Sequence, residues 1–310
     1  MTRLVIGVDG GGSKTHVIVA DAEGRERVSA EGGPSAIAPG RAARSADAIA
    51  AAVATALAGE DLEQTTVAVL VAGLAGVGRE EERRALELEL SRRSLAEEVF
   101  VEPDASIALA DAFGDGPGVL LISGTGSIAY GRGPTGEVAR CGGWGPGIGD
   151  EGSGTWIGRR ALGVVAAAAD GREPPTALTG AILTAAQVNE PQELVPWVAA
   201  ADNRMLVALA PVVFTVAHSD PRANAIVDFA AEELVMHVRS LAQRLFGDER
   251  AAVPVALAGG LLKRGSLLRR KVEHRLKTAT PGATIRAEPV VPARGAVRLA
   301  LQHLERVASE

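Results

Sequence analysis

The stretch that decides the fold is LVIGVDGGGSKTHVIVAD, residues 4–21. Residues 4–9 are apolar and β-branched, and a second run of the same kind follows at residues 16–21. The glycine-rich segment 10–15 lies between them, so the stretch predicts a β-hairpin. Strand and helix patterns alternate after this hairpin, which is typical of an α/β domain.

A second opening of the same kind begins in the middle of the chain. Residues 118–122 (GVLLI) lead into the turn SGTGS at 123–127, and a further β-type run follows. Two such openings predict two related lobes. We expect a first lobe at residues 1–114, completed by a C-terminal helix at 296–310, and a second lobe at residues 115–295.

The composition excludes several classes of protein. A length of 310 residues fits two domains better than one core. The formal charge of −6, with basic and acidic residues mixed, indicates no nucleic-acid partner. The single cysteine, Cys141, excludes an intrachain disulfide and leaves no thiolate set for a cysteine-ligated metal. The longest apolar run, 161–169, is too short to span a membrane, so we expect a cytoplasmic protein.

Both glycine-rich turns can hold phosphate. Their backbone N–H groups and hydroxyls donate to phosphate oxygens, and missing side chains let a ligand approach. Neither turn opens a helix, which excludes the Walker A and Rossmann motifs. Simple tight turns are the alternative interpretation. The candidate phosphate-binding residues are Gly11, Gly12, Ser13, Lys14 and Thr15 in the first turn and Gly124, Thr125 and Gly126 in the second.

Two aspartates at the ends of predicted strands are candidates for chemistry. Asp9 precedes the first turn and can hold a Mg²⁺-bound water, or it can cap the turn. Asp104 follows the predicted strand 99–101 and precedes the predicted helix 105–113. Ligands of open α/β sheets lie at such strand ends, and a helix N-terminus favours an ionised carboxylate. Asp104 can therefore accept the proton of an attacking hydroxyl, although Asp is also a preferred N-cap.

Residues 141–153 (CGGWGPGIGDEGS) form the most unusual loop in the chain. Dense glycine with one Trp and an Asp-Glu pair predicts a loop shaped around a ligand. Asp150 can accept hydrogen bonds from sugar hydroxyls, and Gly143 and Gly145 can expose main-chain groups to them. A mobile surface loop is the alternative, which Trp144 fits poorly.

A last glycine pair, Gly259-Gly260, ends the predicted strand 253–258. Without side chains, such a turn can pass close to a flat purine ring. A plain turn that leads into the following helix is the alternative interpretation.

Taken in order, these motifs resemble the N-acetylglucosamine kinase branch of the acetate and sugar kinase/Hsp70/actin superfamily, grouped with the BadF/BadG/BcrA/BcrD-type ATPases. The resemblance covers nearly the whole chain, and the joint presence of GGWG and GDEGS is its most specific part. The matching segments are DGGGSKT at 9–15, SGTGS at 123–127, GGWG at 142–145, GDEGS at 149–153, AGG at 258–260 and GA at 295–296.

The resemblance implies an α/β fold of two ribonuclease-H-like (actin-like ATPase) lobes with ATP and Mg²⁺ in the cleft between them. It also implies an ATP-dependent kinase that phosphorylates an amino sugar, with Asp104 as the base and a sugar ligand. The expected partner is a small-molecule sugar, together with a possible homodimer. The implied ATP contacts are Ser13, Thr125, Gly259 and Gly260, and the implied sugar contacts are Ser127, Gly143, Trp144, Gly145 and Asp150.

Two positions depart from the family pattern. Ala36 follows Gly33-Pro34-Ser35, and Ile128 follows Ser127, where N-acetylglucosamine kinases and the eukaryotic enzymes, respectively, carry an Asn that contacts the sugar. Both replacements remove hydrogen-bonding groups that discriminate between sugars. N-acetylglucosamine is the expected substrate, and glucosamine or another hexose derivative is the alternative. From another class, the alternative is an ATP-dependent sensor or BadF/BadG-type activator without sugar phosphorylation; the Fe–S activators need cysteines that this chain lacks.

Overall fold

A computed structural model describes residues 3–59, 62, 65–77, 80–247 and 251–307. The chain divides into two compact units, Met1–Asp115 with Val290–Glu310 and Gly116–Pro289. The chain returns to the first unit at Val290, ahead of the predicted helix start at 296. Residues 308–310 of that predicted helix lie outside the described residues.

The first unit contains one five-stranded sheet in the order β3-β2-β1-β4-β5. Strands β1, β2 and β3 are antiparallel neighbours, whereas β4 and β5 run parallel to β1. Its elements are β1 (Leu4–Gly10), β2 (Thr15–Asp21), β3 (Glu26–Gly32), α1 (Ala42–Ala58), β4 (Val67–Leu74), α2 (Glu80–Ser91), β5 (Glu98–Pro103) and α3 (Asp104–Phe113).

The second unit repeats this topology with additional helices. Its sheet has the order β10-β9-β6-β7-β8, with an antiparallel β6-β7-β8 meander and β9 and β10 parallel to β6. Its elements are β6 (Gly118–Ser123), β7 (Ser127–Arg132), β8 (Val138–Gly142), α4 (Gly154–Ala169), α5 (Ala177–Ala186), α6 (Leu194–Ala200), α7 (Asn203–Val216), α8 (Pro221–Phe246), β9 (Val253–Ala258), α9 (Leu267–Ala279) and β10 (Ala283–Ile285).

The last helix, α10 (Pro292–Val307), belongs to the first unit. Pro292 is its first residue, a position that suits proline because the first N–H of a helix has no internal partner. Within the described part of the chain, no helix combines the length and the apolar character needed to cross a bilayer. The repeated sheet order confirms the prediction of two ribonuclease-H-like lobes.

Strand β1 is buried on both faces, which explains its nearly continuous apolar sequence. Leu4, Ile6 and Val8 belong to a core cluster that includes residues of α1 and α2. Val5 points to the opposite face and belongs to a second cluster, formed with residues of α3 and α10. Helices therefore cover both faces of the strand that leads to Asp9.

Glycine lets α10 approach its neighbours at backbone distance. A methyl group at Gly7 of β1 would lie 2.3 Å from the Ala293 carbonyl oxygen. A methyl group at Gly295 of α10 would lie 1.8 Å from the Ile107 carbonyl oxygen of α3. Because α3 begins at Asp104, this close contact fixes the element that carries the candidate base.

We expect Gly295→Ala to destabilise the protein, although alanine is the better helix former. The added methyl group forces α3 and α10 apart, and overpacking of this kind costs about 1–3 kcal/mol or more. Urea unfolding should show a lower midpoint than the wild type.

Gly163→Ala is the matched control, because Gly163 lies inside α4 and a methyl group there meets no atom within 4 Å. This variant should be stabilised by up to about 1 kcal/mol. Equal stability of Gly295→Ala and the wild type would contradict the close helix contact.

Candidate active site

Asp9 and Asp104 lie at the carboxyl ends of the parallel strands β1 and β5. The pKa of Asp9 is raised to about 6, chiefly because burial removes water from its carboxylate and further because Asp104 is negatively charged. The positive charge of Lys14 opposes this rise. Desolvation also raises the pKa of Asp104. Two desolvated carboxylates that repel each other form a place that a cation would stabilise.

Asp104 does not cap the helix that it begins. Pro103 occupies the N-cap position, and α3 has no side-chain capping bond there. The Asp104 carboxylate accepts only the adjacent Ala105 N–H, at 2.9 Å, among the hydrogen bonds of the described residues. Its side chain is exposed to solvent. The N-cap interpretation is therefore wrong for Asp104, and the carboxylate can face a ligand.

The turn between β1 and β2 is open at its tip. Its closing hydrogen bond runs from the Gly11 N–H to the Lys14 carbonyl oxygen, at 2.9 Å. A methyl group at Gly12 would meet no other atom within 4 Å. Lys14 is exposed and forms an ion pair with Glu31. The tip therefore offers main-chain groups, the Ser13 hydroxyl and one cation to a ligand.

Thr15 has a different place from the rest of this turn, because its side chain is fully buried. Its hydroxyl donates to the Gly33 carbonyl oxygen at 2.6 Å and hydrogen-bonds to the Ser35 hydroxyl at 2.7 Å. The Ser35 N–H in turn donates to the Gly11 carbonyl oxygen at 3.1 Å. The Thr15 side chain thus holds segment 33–35 against the turn, and we propose it as a positioning residue.

We expect Thr15→Val to lower the free energy of unfolding by about 1–3 kcal/mol, because the isosteric side chain leaves the Gly33 carbonyl and Ser35 hydroxyl without their buried partner. Thr15→Ser keeps the hydroxyl and should lose less. Urea unfolding of both variants measures the difference. A Thr15→Val protein as stable as the wild type would show that these hydrogen bonds do not hold the turn.

In the second lobe, the turn between β6 and β7 is tied to the long glycine-rich loop. The Ser123 hydroxyl donates to the Gly152 carbonyl oxygen at 2.9 Å, and the Ser127 hydroxyl donates to the Glu151 carbonyl oxygen at 2.7 Å. The Gly154 N–H, at the start of α4, donates to the Gly124 carbonyl oxygen at 2.8 Å. The turn, the end of the loop and the start of α4 therefore form one structure.

The glycine pair after β9 lies against the same turn. Gly259 has φ +93°, and a methyl group on it would lie 2.2 Å from the Ser123 carbonyl oxygen. The nearest atom to a methyl group at Gly124 would be the Gly260 nitrogen, at 3.9 Å. The structure thus brings together the second predicted phosphate turn and the predicted adenosine turn.

The loop that ends β8 is held from inside by Asp150. This residue has φ +59° and is 6% exposed, and its carboxylate accepts the Gly145 N–H at 3.2 Å. Burial raises its pKa. The Gly143 N–H donates to the Ser127 carbonyl oxygen at 3.0 Å, which leaves Trp144 62% exposed. A direct bond from Ser127 or Asp150 to a sugar would have to replace one of these internal bonds.

Three contacts around these loops had no signal in the sequence. Ser35 joins Thr15, as described above. The Arg140 guanidinium lies 4.7 Å from the centre of the Trp144 ring. His237 of α8 is buried, and its Nε2 atom lies 3.8 Å from a Glu151 carboxylate oxygen. Each contact joins segments that only the tertiary fold brings together, apart from Arg140, which precedes GGWG closely enough to have been noticed.

The first-lobe carboxylates fit a magnesium ion better than a protein-only metal cage. No cluster of three or more His, Cys, Asp or Glu side chains suited to a metal occurs among the described residues. Mg²⁺ usually binds through one or two carboxylates, several waters and the phosphates of its partner. Asp9, whose raised pKa shows an uncompensated negative environment, has the chemistry for such a site.

Two lobes with this strand order and glycine turns at corresponding hairpins define a member of the acetate and sugar kinase/Hsp70/actin superfamily. Within it, the chain belongs to the BadF/BadG/BcrA/BcrD ATPase family, whose model matches residues 6–300. This family is named for its use of ATP, and its members share the fold that the sequence predicted.

Individual relatives carry more specific names. An N-acetylmuramic acid/N-acetylglucosamine kinase of Clostridium acetobutylicum is 31% identical over 84% of this chain and 86% of its own. An N-acetyl-D-glucosamine kinase of Dictyostelium discoideum is 29% identical over 96% of this chain and 98% of its own. A solved structure from Chromobacterium violaceum, of a protein proposed to be an N-acetylglucosamine kinase, has a TM-score of 0.80 at 31% identity, covering 97% of this chain and 99% of its own.

Proposed function

We propose that the chain is an ATP-dependent sugar kinase whose acceptor is an N-acetylated amino sugar, with N-acetylglucosamine as the leading candidate. The observation that carries the proposal is the pair Asp9 and Asp104, two desolvated carboxylates beside an open glycine turn. The names of the relatives support the choice of sugar.

Asp104 is the proposed base. Its raised pKa makes the carboxylate a better proton acceptor than an ordinary aspartate, while it stays ionised at neutral pH. It accepts the proton of the sugar hydroxyl as that oxygen attacks the γ-phosphorus of ATP. The bond between the γ-phosphorus and the bridging oxygen breaks, and ADP leaves with the electron pair.

The proposed nucleotide contacts come from both lobes. Main-chain groups of Gly11 and Gly12, the Ser13 hydroxyl and the Lys14 ammonium bind phosphate oxygens from the first lobe. Asp9 holds Mg²⁺ through water, and the bound ion neutralises phosphate charge. From the second lobe, Gly124, Thr125 and Gly126 bind phosphate, and Gly259 and Gly260 lie along the adenosine.

The proposed sugar contacts lie on the loop that Asp150 holds. The exposed Trp144 ring offers an apolar surface to the carbon–hydrogen face of a sugar ring. Main-chain groups of Gly143 and Gly145 bind its hydroxyls, together with Ser127, Asp150 and Asp104. Ile128 packs beneath Gly143, where a methyl group would lie 2.4 Å from its side chain, so it supports the loop instead of reading the sugar.

The proposal is tested by measuring ADP release from ATP and Mg²⁺ with a panel of sugars. N-acetylglucosamine should stimulate turnover more than glucosamine or glucose does. The Asp104→Asn protein is the control for contaminating kinases. Turnover that no sugar stimulates would contradict the kinase proposal and favour an ATP-dependent sensor or activator.

The cytoplasmic location and the homodimer remain proposals. A cytoplasmic location would give the enzyme its supply of ATP, and cell fractionation would test it. Light scattering of the purified protein would measure the oligomeric state.

A further inference from the structure

The exposed part of the sugar loop carries a positive charge that the proposed contacts do not use. Arg140 of β8 places its guanidinium 4.7 Å from the centre of the exposed Trp144 ring. One of its nitrogens, Nη1, donates to the Gly142 carbonyl oxygen at 2.7 Å and weakly to that of Gly143 at 3.4 Å. The described residues supply no acceptor for its other N–H groups.

The acidic groups of this loop are directed inward. Asp150 is 6% exposed and accepts the Gly145 N–H. A Glu151 carboxylate oxygen lies 3.8 Å from the buried His237. A second guanidinium, that of the exposed Arg159, donates to the Pro146 carbonyl oxygen of the loop. The ring surface of Trp144 is therefore flanked by guanidinium groups, with the carboxylates behind it.

We infer that the enzyme also accepts an N-acetylated amino sugar that carries a carboxylate, and that Arg140 binds this carboxylate beside Trp144. The inference rests on the proposed function, because it assumes that Trp144 contacts the sugar. A guanidinium presents N–H donors in a planar fork that matches a carboxylate, and such charge-assisted bonds are stronger than neutral ones. N-acetylmuramic acid, which is N-acetylglucosamine with a lactic acid ether, has the required chemistry.

The wild-type protein provides a first test without mutation. Its kcat/KM is measured for N-acetylmuramic acid and for the neutral amide of the same sugar, which keeps the size of the lactyl group and removes its charge. The free acid should be the better substrate by at least about tenfold, the range of one charged hydrogen bond over a neutral one.

Variants then identify the residue. Arg140→Gln should lower kcat/KM for N-acetylmuramic acid about 10- to 100-fold and change that for N-acetylglucosamine less than about threefold. Arg140→Lys, which keeps the charge but not the planar fork, should lie between them. Arg172→Gln is the matched control, because Arg172 is exposed and pairs with Asp170 at the end of α4; it should leave both substrates unchanged.

Each outcome decides between the two proposals. Turnover of N-acetylglucosamine without turnover of N-acetylmuramic acid would overturn the inference and leave the kinase proposal standing. An equal loss for both sugars in Arg140→Gln would also overturn it, since Arg140 would then only shape the loop. Absence of turnover with either sugar would count against the proposed function itself.

Discussion

Asp104→Asn is expected to lower kcat by about 10²- to 10⁴-fold, the usual contribution of a general base. The amide cannot accept the proton of the sugar hydroxyl, but it has nearly the same shape. ATP binding should change little. Steady-state kinetics with N-acetylglucosamine and calorimetric titration of ATP with Mg²⁺ measure the two effects separately.

Glu102→Gln is the matched control, since Glu102 is a partly buried acid at the end of the same strand. Burial raises its pKa as well, so the variant removes a comparable carboxylate without removing the proposed base. We expect nearly normal turnover. If Asp104→Asn also turned over at a normal rate, another group would have to be the base.

The second large effect is expected from Asp9 and from pH. Because kcat/KM reports groups of the free enzyme, kcat/KM for ATP should decline as the pH falls through about 6, where Asp9 becomes protonated. The inflection in kcat should lie at lower pH, since a bound cation favours the ionised carboxylate. Asp104→Asn removes the neighbouring charge and should lower the pKa of Asp9.

Asp9→Asn should lower the affinity for Mg²⁺ and ATP by about 10- to 100-fold, the range found for residues that hold a metal through water. It should also abolish the inflection in kcat/KM near pH 6. An inflection that persists unchanged in Asp9→Asn would assign the titration to another group.

The same substitution should stabilise the unliganded protein. A carboxylate whose pKa is higher in the folded than in the unfolded state costs stability above the folded pKa. The shift from 3.8 to about 6 bounds the gain in Asp9→Asn at roughly 3 kcal/mol at neutral pH. For the wild type, stability should rise as the pH falls from above 6 towards 4, and thermal unfolding at several pH values checks the sign.

Local patterns in the sequence predicted most of the fold. The apolar runs of β1, β4 and β9 are buried, and such strands announce themselves without reference to the rest of the chain. The strands β3, β8 and β10 were missed. Most of the residues of β3 and β8 are exposed or only half-buried, and β10 has three residues, so neither hydrophobicity nor length distinguishes them from loops.

The candidate site divides in the same way. The glycine turns and the Asp9 and Asp104 positions are local features of strand ends, and the structure places each where a strand ends. The internal roles of Thr15 and Asp150 could not be predicted, because their partners are set by tertiary contacts and by a backbone with φ +59° at Asp150. Burial, which raises the pKa of Asp9, is likewise a property of the folded lobe.

The central claim is phosphoryl transfer from ATP to an amino sugar. Its most direct test is to incubate the protein with N-acetylglucosamine, Mg²⁺ and ATP labelled in the γ-phosphoryl group, and to follow the label by mass spectrometry. The account predicts that the label appears in a phosphorylated sugar, formed in equal amount to ADP. Label found in inorganic phosphate alone, with the sugar unchanged, would contradict it.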